Sequence, residues 1–246
     1  MSKLKIRASY GELGANFLNP YNFDAIAYGP IPYTVGGERY VTGRAAYLKS
    51  KDLKWETAKT TDIGIELGFF NNDLTLSLDY FVKKNVDLLA QIDLNLSSGQ
   101  IFEINSSREK PYVNTASVKN TGWEFMMNYR KQLTKDFHID ATFNIATLKN
   151  KVLSLGENVQ PITSGAMSSY FNDAASITMP GEAIGSFYGY KIDGFDAEGN
   201  FIFADTDKNG VVNANDKVIL GSPIPDFTYG LNINMEYKDF DLTVFF

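Results

Sequence analysis

Twelve consecutive residues in the last quarter of the chain carry the ligand types and spacing of a calcium-binding loop. Segment 205–216 reads Asp-Thr-Asp-Lys-Asn-Gly-Val-Val-Asn-Ala-Asn-Asp, with side-chain oxygens at loop positions 1, 3, 5, 9 and 12 and glycine at position 6. Ca²⁺ takes about 6–8 oxygen ligands, and short Asp and Asn side chains let one tight turn supply them. The predicted ligands are Asp205, Asp207, Asn209, the Val211 carbonyl, Asn213 and Asp216.

The loop differs from an EF-hand in two respects. Position 12 is Asp216, shorter than the usual glutamate, and no helical pattern flanks the loop. Dockerin-type loops share the shorter residue. The alternative is a solvated turn rich in Asp and Asn that binds no ion. If Ca²⁺ is bound, we expect a structural role, because a divalent cation turns repulsion between close carboxylates into a fixed loop.

The other polar residues give little support for catalysis, so we predict that the chain is not an enzyme. His138 is the only histidine, and it falls on the polar face of a predicted strand. The three carboxylates of the loop suit one metal better than a glycosidase pair. Without cysteine, the chain has no thiol-based metal or redox site, and a net charge of -6 gives no electrostatic support for nucleic-acid binding.

Aromatic side chains form two clusters near this loop, at Tyr170-Phe171 and at Phe187-Tyr188-Gly189-Tyr190. Such rings either stack on sugars or pack the segment against its neighbours. We favour packing.

The elements that must position these residues follow a period of two rather than 3.6. Apolar and polar residues alternate in three predicted hairpins, and each hairpin has one apolar face. The hairpins join 62–69 to 74–82, 122–130 to 137–146, and 228–237 to 240–246, and a single strand covers 4–10.

Amphipathic strands fit two architectures, a soluble sandwich and a membrane barrel with its apolar face towards lipid. Three features favour the barrel. The strands approach the ~9–11 residues that cross a bilayer, aromatic residues gather near strand ends, and tiny turns alternate with the long links 11–60, 84–118 and 149–226. The prediction is therefore an all-β antiparallel meander, a partial transmembrane β-barrel of about seven spanning strands with long extracellular loops. If segment 184–195 spanned the membrane, tiny turns and long links would no longer alternate. We therefore place it in the last long loop as a ribbon.

Six short motifs, in order along nearly the whole chain, resemble the SusC/RagA family of TonB-linked outer-membrane transporters. They begin with LKIRASYG at residue 4 and LKWETAKTTDIG at residue 53, and continue with NTGWEF at residue 120. The later three are GSFYGYK at residue 185, ILGSPIPDF at residue 219 and YKDFDL at residue 237. Each motif is weak alone, and their shared order carries the resemblance.

The resemblance implies a barrel of about 22 strands with a plug in its lumen. It also implies an outer-membrane location in lipid, a SusD-like surface lipoprotein as a lid, and import of oligosaccharides or oligopeptides powered by the TonB complex. We expect 1–246 to be a partial barrel domain without plug or signal peptide, and 196–226 to be an extracellular loop with the calcium-type motif. The final Phe245-Phe246 then reflects truncation rather than a terminal assembly signal. The alternative is a soluble, calcium-dependent, carbohydrate-binding β-sandwich.

Overall fold

A computed structural model of the chain describes residues 1–16, 27–45, 53–91, 112–156, 159–165 and 174–246. No helix in these ranges is long and apolar enough to cross a bilayer. Short 3₁₀ turns occur at Phe70–Asn72 and Ala214–Asp216. The strands are β1 Lys3–Ala15, β2 Ala27–Val35, β3 Glu38–Ala45, β4 Glu56–Phe69, β5 Leu74–Gln91, β6 Tyr112–Thr134, β7 Phe137–Thr147, β8 Lys149–Ser154, β9 Ile162–Ser164, β10 Ser176–Thr178, β11 Ser186–Tyr190, β12 Ile192–Phe195, β13 Phe201–Phe203, β14 Lys217–Gly221, β15 Phe227–Tyr237 and β16 Phe240–Phe245.

One sheet contains all the strands that the alternation pattern predicts to span. Its order is β1-β4-β5-β6-β7-β15-β16, which follows the chain, and each neighbouring pair is antiparallel. The all-β meander of seven strands is therefore confirmed. In the described part of the chain the sheet is open, with β1 and β16 at its edges.

The three predicted hairpins are confirmed, but β1, β4, β5 and β6 extend well beyond the bounds that the alternation indicated. β5 has 18 residues and β6 has 23, well above the ~9–11 residues needed to cross a bilayer. The part of β6 that extends beyond its pairing with β7 pairs with the short β8, an eighth strand that was not predicted. The turn after β4 lies at Phe70–Asn72, where all three residues have positive φ angles.

The register gives this sheet one apolar face, because residues directly opposite each other in paired strands lie on the same face. Two adjacent rows cross six strands without interruption. They consist of Ile6, Ile65, Leu78, Phe125, Ile145 and Tyr229, and of Leu4, Leu67, Leu76, Met127, Phe143 and Leu231. Aromatic pairs border the rows, with Tyr80 against Trp123 on one side and Phe137 against Tyr237 at the short turns.

The opposite face is polar. All five acidic residues that the alternation assigned to it lie on this face in the register, namely Glu66, Asp79, Glu124, Asp140 and Glu236. A cavity of about 570 Å³ opens here between β1 and β7, lined in part by Arg7, Glu66, Asp79 and Glu124. This is the arrangement of a barrel wall, with lipid outside and a polar lumen inside.

No second sheet covers the apolar face in the described ranges. Ile63 is 54% exposed and Leu78 39%, and the buried hydrophobic residues are Val118, Val152, Leu155 and Ile177. Three of these form a cluster where β6 meets β8. The sandwich alternative is wrong for this sheet, because its apolar side chains share no interior.

A long insertion follows β7 and ends at β15; its first strand, β8, still pairs with β6, and the remainder lies outside the eight-stranded sheet. Its ends meet, because the Leu148 amide donates to the Asp226 carbonyl at 3.1 Å. Within it, β14, β11, β10 and β9 form a four-stranded sheet in that order, and β12 pairs with β13. Segment 184–195 is thus divided between two small sheets outside the wall, which confirms that it does not span.

Candidate functional site

The predicted calcium loop, residues 205–216, connects β13 to β14 within the insertion. Carboxylate oxygens of Asp205, Asp207 and Asp216 lie within 4.8 Å of one another. Two ligands on opposite sides of one Ca²⁺ are at most about 4.6–5.2 Å apart, given ligand distances of about 2.3–2.6 Å. The three carboxylates therefore fit a shared coordination sphere.

Asp216 is fully buried at the base of the loop. Its Oδ1 accepts hydrogen bonds from the amides of Thr206 at 2.7 Å and Asp207 at 3.2 Å, and its Oδ2 accepts from the Asn213 amide at 2.8 Å. The Asn213 amide, followed by those of Asp207 and Thr206, holds the pKa of this carboxyl below its usual range, although burial opposes the shift. Asp216 thus ties the two ends of the loop together as a carboxylate.

Asp205 and Asp207 organise the tight turn at the tip. Asp205 accepts from the amides of Asn209 at 3.1 Å and Gly210 at 2.7 Å, and Asp207 accepts from the Asn209 amide at 3.0 Å. Gly210 has φ +86°, a left-handed conformation that glycine adopts without steric cost. The bend therefore occurs at the residue that the sequence indicated.

The other three predicted ligands form hydrogen bonds within the loop. Asn209 Oδ1 accepts from the Val211 amide at 2.8 Å, and Asn213 Nδ2 donates to the Val211 carbonyl at 3.1 Å. Asn213 Oδ1 accepts from the Asn215 amide at 2.9 Å. A carbonyl oxygen has two lone pairs, so each of these atoms can still take a cation ligand position.

An ion pair crosses the polar face of the wall at a point where a glycine leaves room for it. Arg7 and Asp79 lie two strands apart with Gly64 between them in the register. The guanidinium passes over Gly64, and Nη2 approaches Asp79 Oδ2 to 2.5 Å while Nε donates to Oδ1 at 2.9 Å. A Cβ on Gly64 would lie 1.9 Å from Asp79 Oδ1, so no larger residue is compatible with this pair.

In the aromatic cluster at 187–190, one ring is exposed and another packs against its neighbours. Phe187 is 50% exposed, whereas the Tyr190 ring contacts Phe203 with centroids 5.5 Å apart and lies under Lys217 Nζ at 5.2 Å. Tyr170 and Phe171 lie outside the described residues. The prediction missed the Phe201-Ile202-Phe203 strand, although a turn at Gly199-Asn200 followed by alternation could have indicated it.

These features, taken together, define the class of the protein. A sequential antiparallel meander with one apolar face, one charged face, short turns on one side and long insertions on the other is the wall of a transmembrane β-barrel. Residues 2–246 match the family described as TonB dependent receptor-like, beta-barrel, and the chain belongs to that family. Membership implies an outer-membrane location.

Named relatives agree with this assignment. The chain is 36% identical over 98% of its length to TonB-dependent receptor P3 of Formosa agariphila, and 30% identical over 99% to TonB-dependent receptor SusC of Bacteroides thetaiotaomicron. It spans about a quarter of each, 25% and 24% respectively. The RagAB peptide importer in its open-open state has a similar fold, with a TM-score of 0.77 and 22% identity, over 99% of this chain and 25% of that one.

Proposed function

We propose that the chain forms part of the barrel wall of a transporter that imports oligosaccharides or oligopeptides across the outer membrane. One observation carries this proposal. The sheet has a charged face, on which Gly64 leaves room for the Arg7–Asp79 ion pair, and its opposite face has two uninterrupted apolar rows. Such a wall encloses a polar path through lipid. The proposal includes energy from the TonB complex and a SusD-like surface lipoprotein that closes the barrel as a lid.

The relatives' names support the peptide class, and the oligosaccharide class rests on the resemblance to the SusC/RagA family. One similar structure is named as a peptide importer, and another relative is named SusC. The test is uptake of labelled oligosaccharides and labelled oligopeptides by cells with and without the full-length gene. We expect the deletion strain to lose uptake of one class, and a TonB-deficient strain to lose the same class. Unchanged uptake of both classes in the deletion strain would overturn the proposal.

We also propose that 196–226 is an extracellular segment and that its loop 205–216 binds Ca²⁺. Topology supports the location, because the segment belongs to the insertion between β7 and β15, on the side of the long links. The approach of the three carboxylates to within 4.8 Å of one another supports the ion. Extracellular calcium modules work with weak affinity, about 10⁻⁴–10⁻³ M.

Calorimetry on the full-length receptor tests the metal. We expect millimolar Ca²⁺ to bind to the parent and not to the Asp205→Ala, Asp207→Ala double variant. The matched control is Glu198→Ala, which removes an acidic residue of the same insertion from outside the loop and should leave binding unchanged. Absence of calcium binding by the parent, or equal binding by the double variant, would contradict the proposal.

A further inference from the structure

Four lysines cross the apolar side of the wall near the long links, in a line here called the lysine row. The register places Lys59 opposite Lys84, Lys84 opposite Lys119, and Lys119 opposite Lys151. Residues directly opposite each other in paired strands lie on the same face. Lys59 is an even number of residues from Ile65 in β4, so the whole row is on the face that carries the two apolar rows.

The lysine row begins at the edge of the apolar band on the side of the long links. Ten residues separate Lys59 from Phe69 at the other end of β4. At about 3.3 Å each, they cover about 33 Å along the strand. With a strand tilt of about 35–45° this is about 25 Å along the membrane normal, the height of the apolar band of a transmembrane barrel. The row is therefore at the depth of the lipid headgroups.

The sheet itself places these positive charges against one another. Like charges directly opposite each other in a sheet are destabilising, and the row contains three such pairs in succession. Because the neighbours of β4, β5 and β6 on both sides belong to this chain, the pairs are fixed whatever the rest of the receptor adds. Lys149 adds a fifth positive charge on the same face, opposite Thr121 and one row nearer the apolar rows.

Carboxylates neutralise one end of the row. Glu12 is opposite Lys59 in the register, and its carboxylate lies 3.1 Å from Lys59 Nζ. Asp87 also acts on Lys59 electrostatically. Of the four lysines, Lys59 is therefore the one with least positive charge to offer a ligand.

The other three lysines of the row have no such partner within the described ranges. No carboxylate oxygen there lies within 4.0 Å of the Nζ atoms of Lys84, Lys119 or Lys151. One acid borders β8, since the Glu182 carbonyl accepts from the Val152 amide at 2.8 Å, but its carboxylate forms no ion pair with the row. A ligand that relieves the repulsion among these lysines must bring negative charge of its own.

We infer that the lysine row binds the phosphate-bearing headgroups of the lipid leaflet on the long-link side of the membrane. One face provides both halves of the site, because the apolar rows suit acyl chains and the lysines suit phosphate. Between them are Tyr80 and Trp123, with ring centroids 4.8 Å apart, and such residues favour the membrane interface. A soluble anion or an acidic protein would use only the charged half. The inference rests on the proposed barrel wall and is independent of its cargo.

The test measures lipid preference beside the row in the full-length receptor. Residues 1–246 contain no cysteine, so Thr121→Cys gives one thiol for a fluorophore, with cysteines elsewhere in the receptor replaced by serine. The vesicles contain phosphatidylcholine and phosphatidylglycerol, and one of the two carries a nitroxide quencher. Nitroxide-labelled phosphatidylglycerol should quench the fluorophore more strongly than nitroxide-labelled phosphatidylcholine.

Removing the charge should remove that preference. The triple variant Lys84→Gln, Lys119→Gln, Lys151→Gln should reduce the preference for phosphatidylglycerol at least about fivefold, the effect of one lysine at a membrane surface. The corresponding triple arginine variant keeps the charge and should keep the preference. A preference that the glutamine variant retains in full would overturn the inference.

Two neighbouring residues of β5 give a matched pair of single variants. Lys83 and Lys84 are both exposed, and they lie on opposite faces of the sheet because they are consecutive in a strand. Lys84→Gln should weaken the preference, whereas Lys83→Gln should leave it unchanged. Equal losses for the two would show that net charge rather than the lysine row selects the lipid, and would refute the site.

Melting temperatures give a second measurement, which separates lipid binding from a structural role. In phosphatidylcholine alone, the triple glutamine variant should be at least as stable as the parent, because it removes like charges that oppose each other. Added phosphatidylglycerol should stabilise the parent more than the variant. Equal destabilisation of the variant in both lipids would mean that the lysines stabilise the wall itself, and would overturn the inference. Stabilisation by inorganic phosphate as great as that by phosphatidylglycerol would instead indicate a site for a soluble anion, with the same consequence.

The outcomes also separate this inference from the proposed function. If neither labelled lipid quenches the fluorophore, this face does not meet lipid, and the proposed wall fails together with the inference. If both quench it equally in the parent, the face meets lipid and only the headgroup site is refuted. Unchanged uptake of both substrate classes in the deletion strain would refute the proposed cargo and leave the lipid site standing.

Discussion

Replacing Ile65 by arginine tests which face of the wall meets lipid. Ile65 lies in an apolar row between Ile6 and Leu78, four residues from Phe69 at the end of β4. Four residues at about 3.3 Å each cover about 13 Å along the strand. With a strand tilt of about 35–45° this is about 10 Å along the membrane normal, close to the middle of an apolar band about 25 Å tall.

The expected magnitude follows from this depth. A lipid-facing arginine at the midplane costs about 2–4 kcal/mol in a transmembrane barrel. At about 1.4 kcal/mol per factor of ten, the folding equilibrium falls by roughly 30-fold to several hundred-fold. Glu66→Arg introduces the same residue one position further on, into the polar face beside Lys3, to which Glu66 is paired at 2.5 Å. It breaks an exposed ion pair, so its effect should be much smaller.

The assay is equilibrium unfolding of the full-length receptor in lipid vesicles, followed by tryptophan fluorescence, together with the yield of folded receptor in the outer membrane. Ile65→Arg should lower the free energy of unfolding and the yield, and Glu66→Arg should stay close to the parent. Equal losses for the two variants, or a greater loss for Glu66→Arg, would refute the assignment of the faces.

Three further predictions concern the polar face of the wall, the acidic loop, and the end of the wall next to the long links. Gly64→Ala should lower the melting temperature by displacing Arg7 from its carboxylate, whereas Gly11→Ala, with nothing within 4 Å of the added Cβ, should be tolerated. The carboxyl of Asp216 has a lowered pKa, so its stabilising effect should be present above the unfolded value of about 3.9 and be lost as pH falls through the lower folded pKa. Hydrogen exchange of the loop amides should therefore show protection that is lost at low pH. Asp216→Asn should abolish this pH dependence and weaken protection at neutral pH. Asn114→Ala should speed proteolysis before β4, because the Asn114 side chain bonds the Lys54 amide at 2.6 Å and its carbonyl at 2.8 Å; an unchanged cleavage rate would show that this bridge is dispensable.

The hairpins could be predicted from the sequence because each one is specified by residues that are close together in the chain. Alternation assigns residues to faces, and a turn such as Asn71-Asn72-Asp73 joins strands that are neighbours in the chain. The extension of β6 towards Tyr112 was missed because its upper part, YVNTASVKN, does not alternate cleanly between apolar and polar residues. β8 pairs with that extension, so it was missed for the same reason.

The acidic loop was predictable in part. The spacing of aspartates placed three carboxylates together, since the ligands lie within one short turn. The complete burial of Asp216 was not predictable, because composition alone indicates a solvated turn. The contact of Arg7 with Asp79 joins residues 72 positions apart. It depends on the register of three strands and on the space above Gly64, which no local pattern encodes.

The hydrogen bond between Leu148 and Asp226 has a consequence for how such receptors diversify. The chain leaves the wall and re-enters it at adjacent points, and the segment between them contains two small sheets of its own. A segment with touching ends can be exchanged, lengthened or shortened without shifting the strands on either side. Apart from β8, which stays paired with β6, the insertion therefore behaves as a graft on a hairpin. Evolution can change what the outer surface meets while the membrane-spanning architecture stays constant.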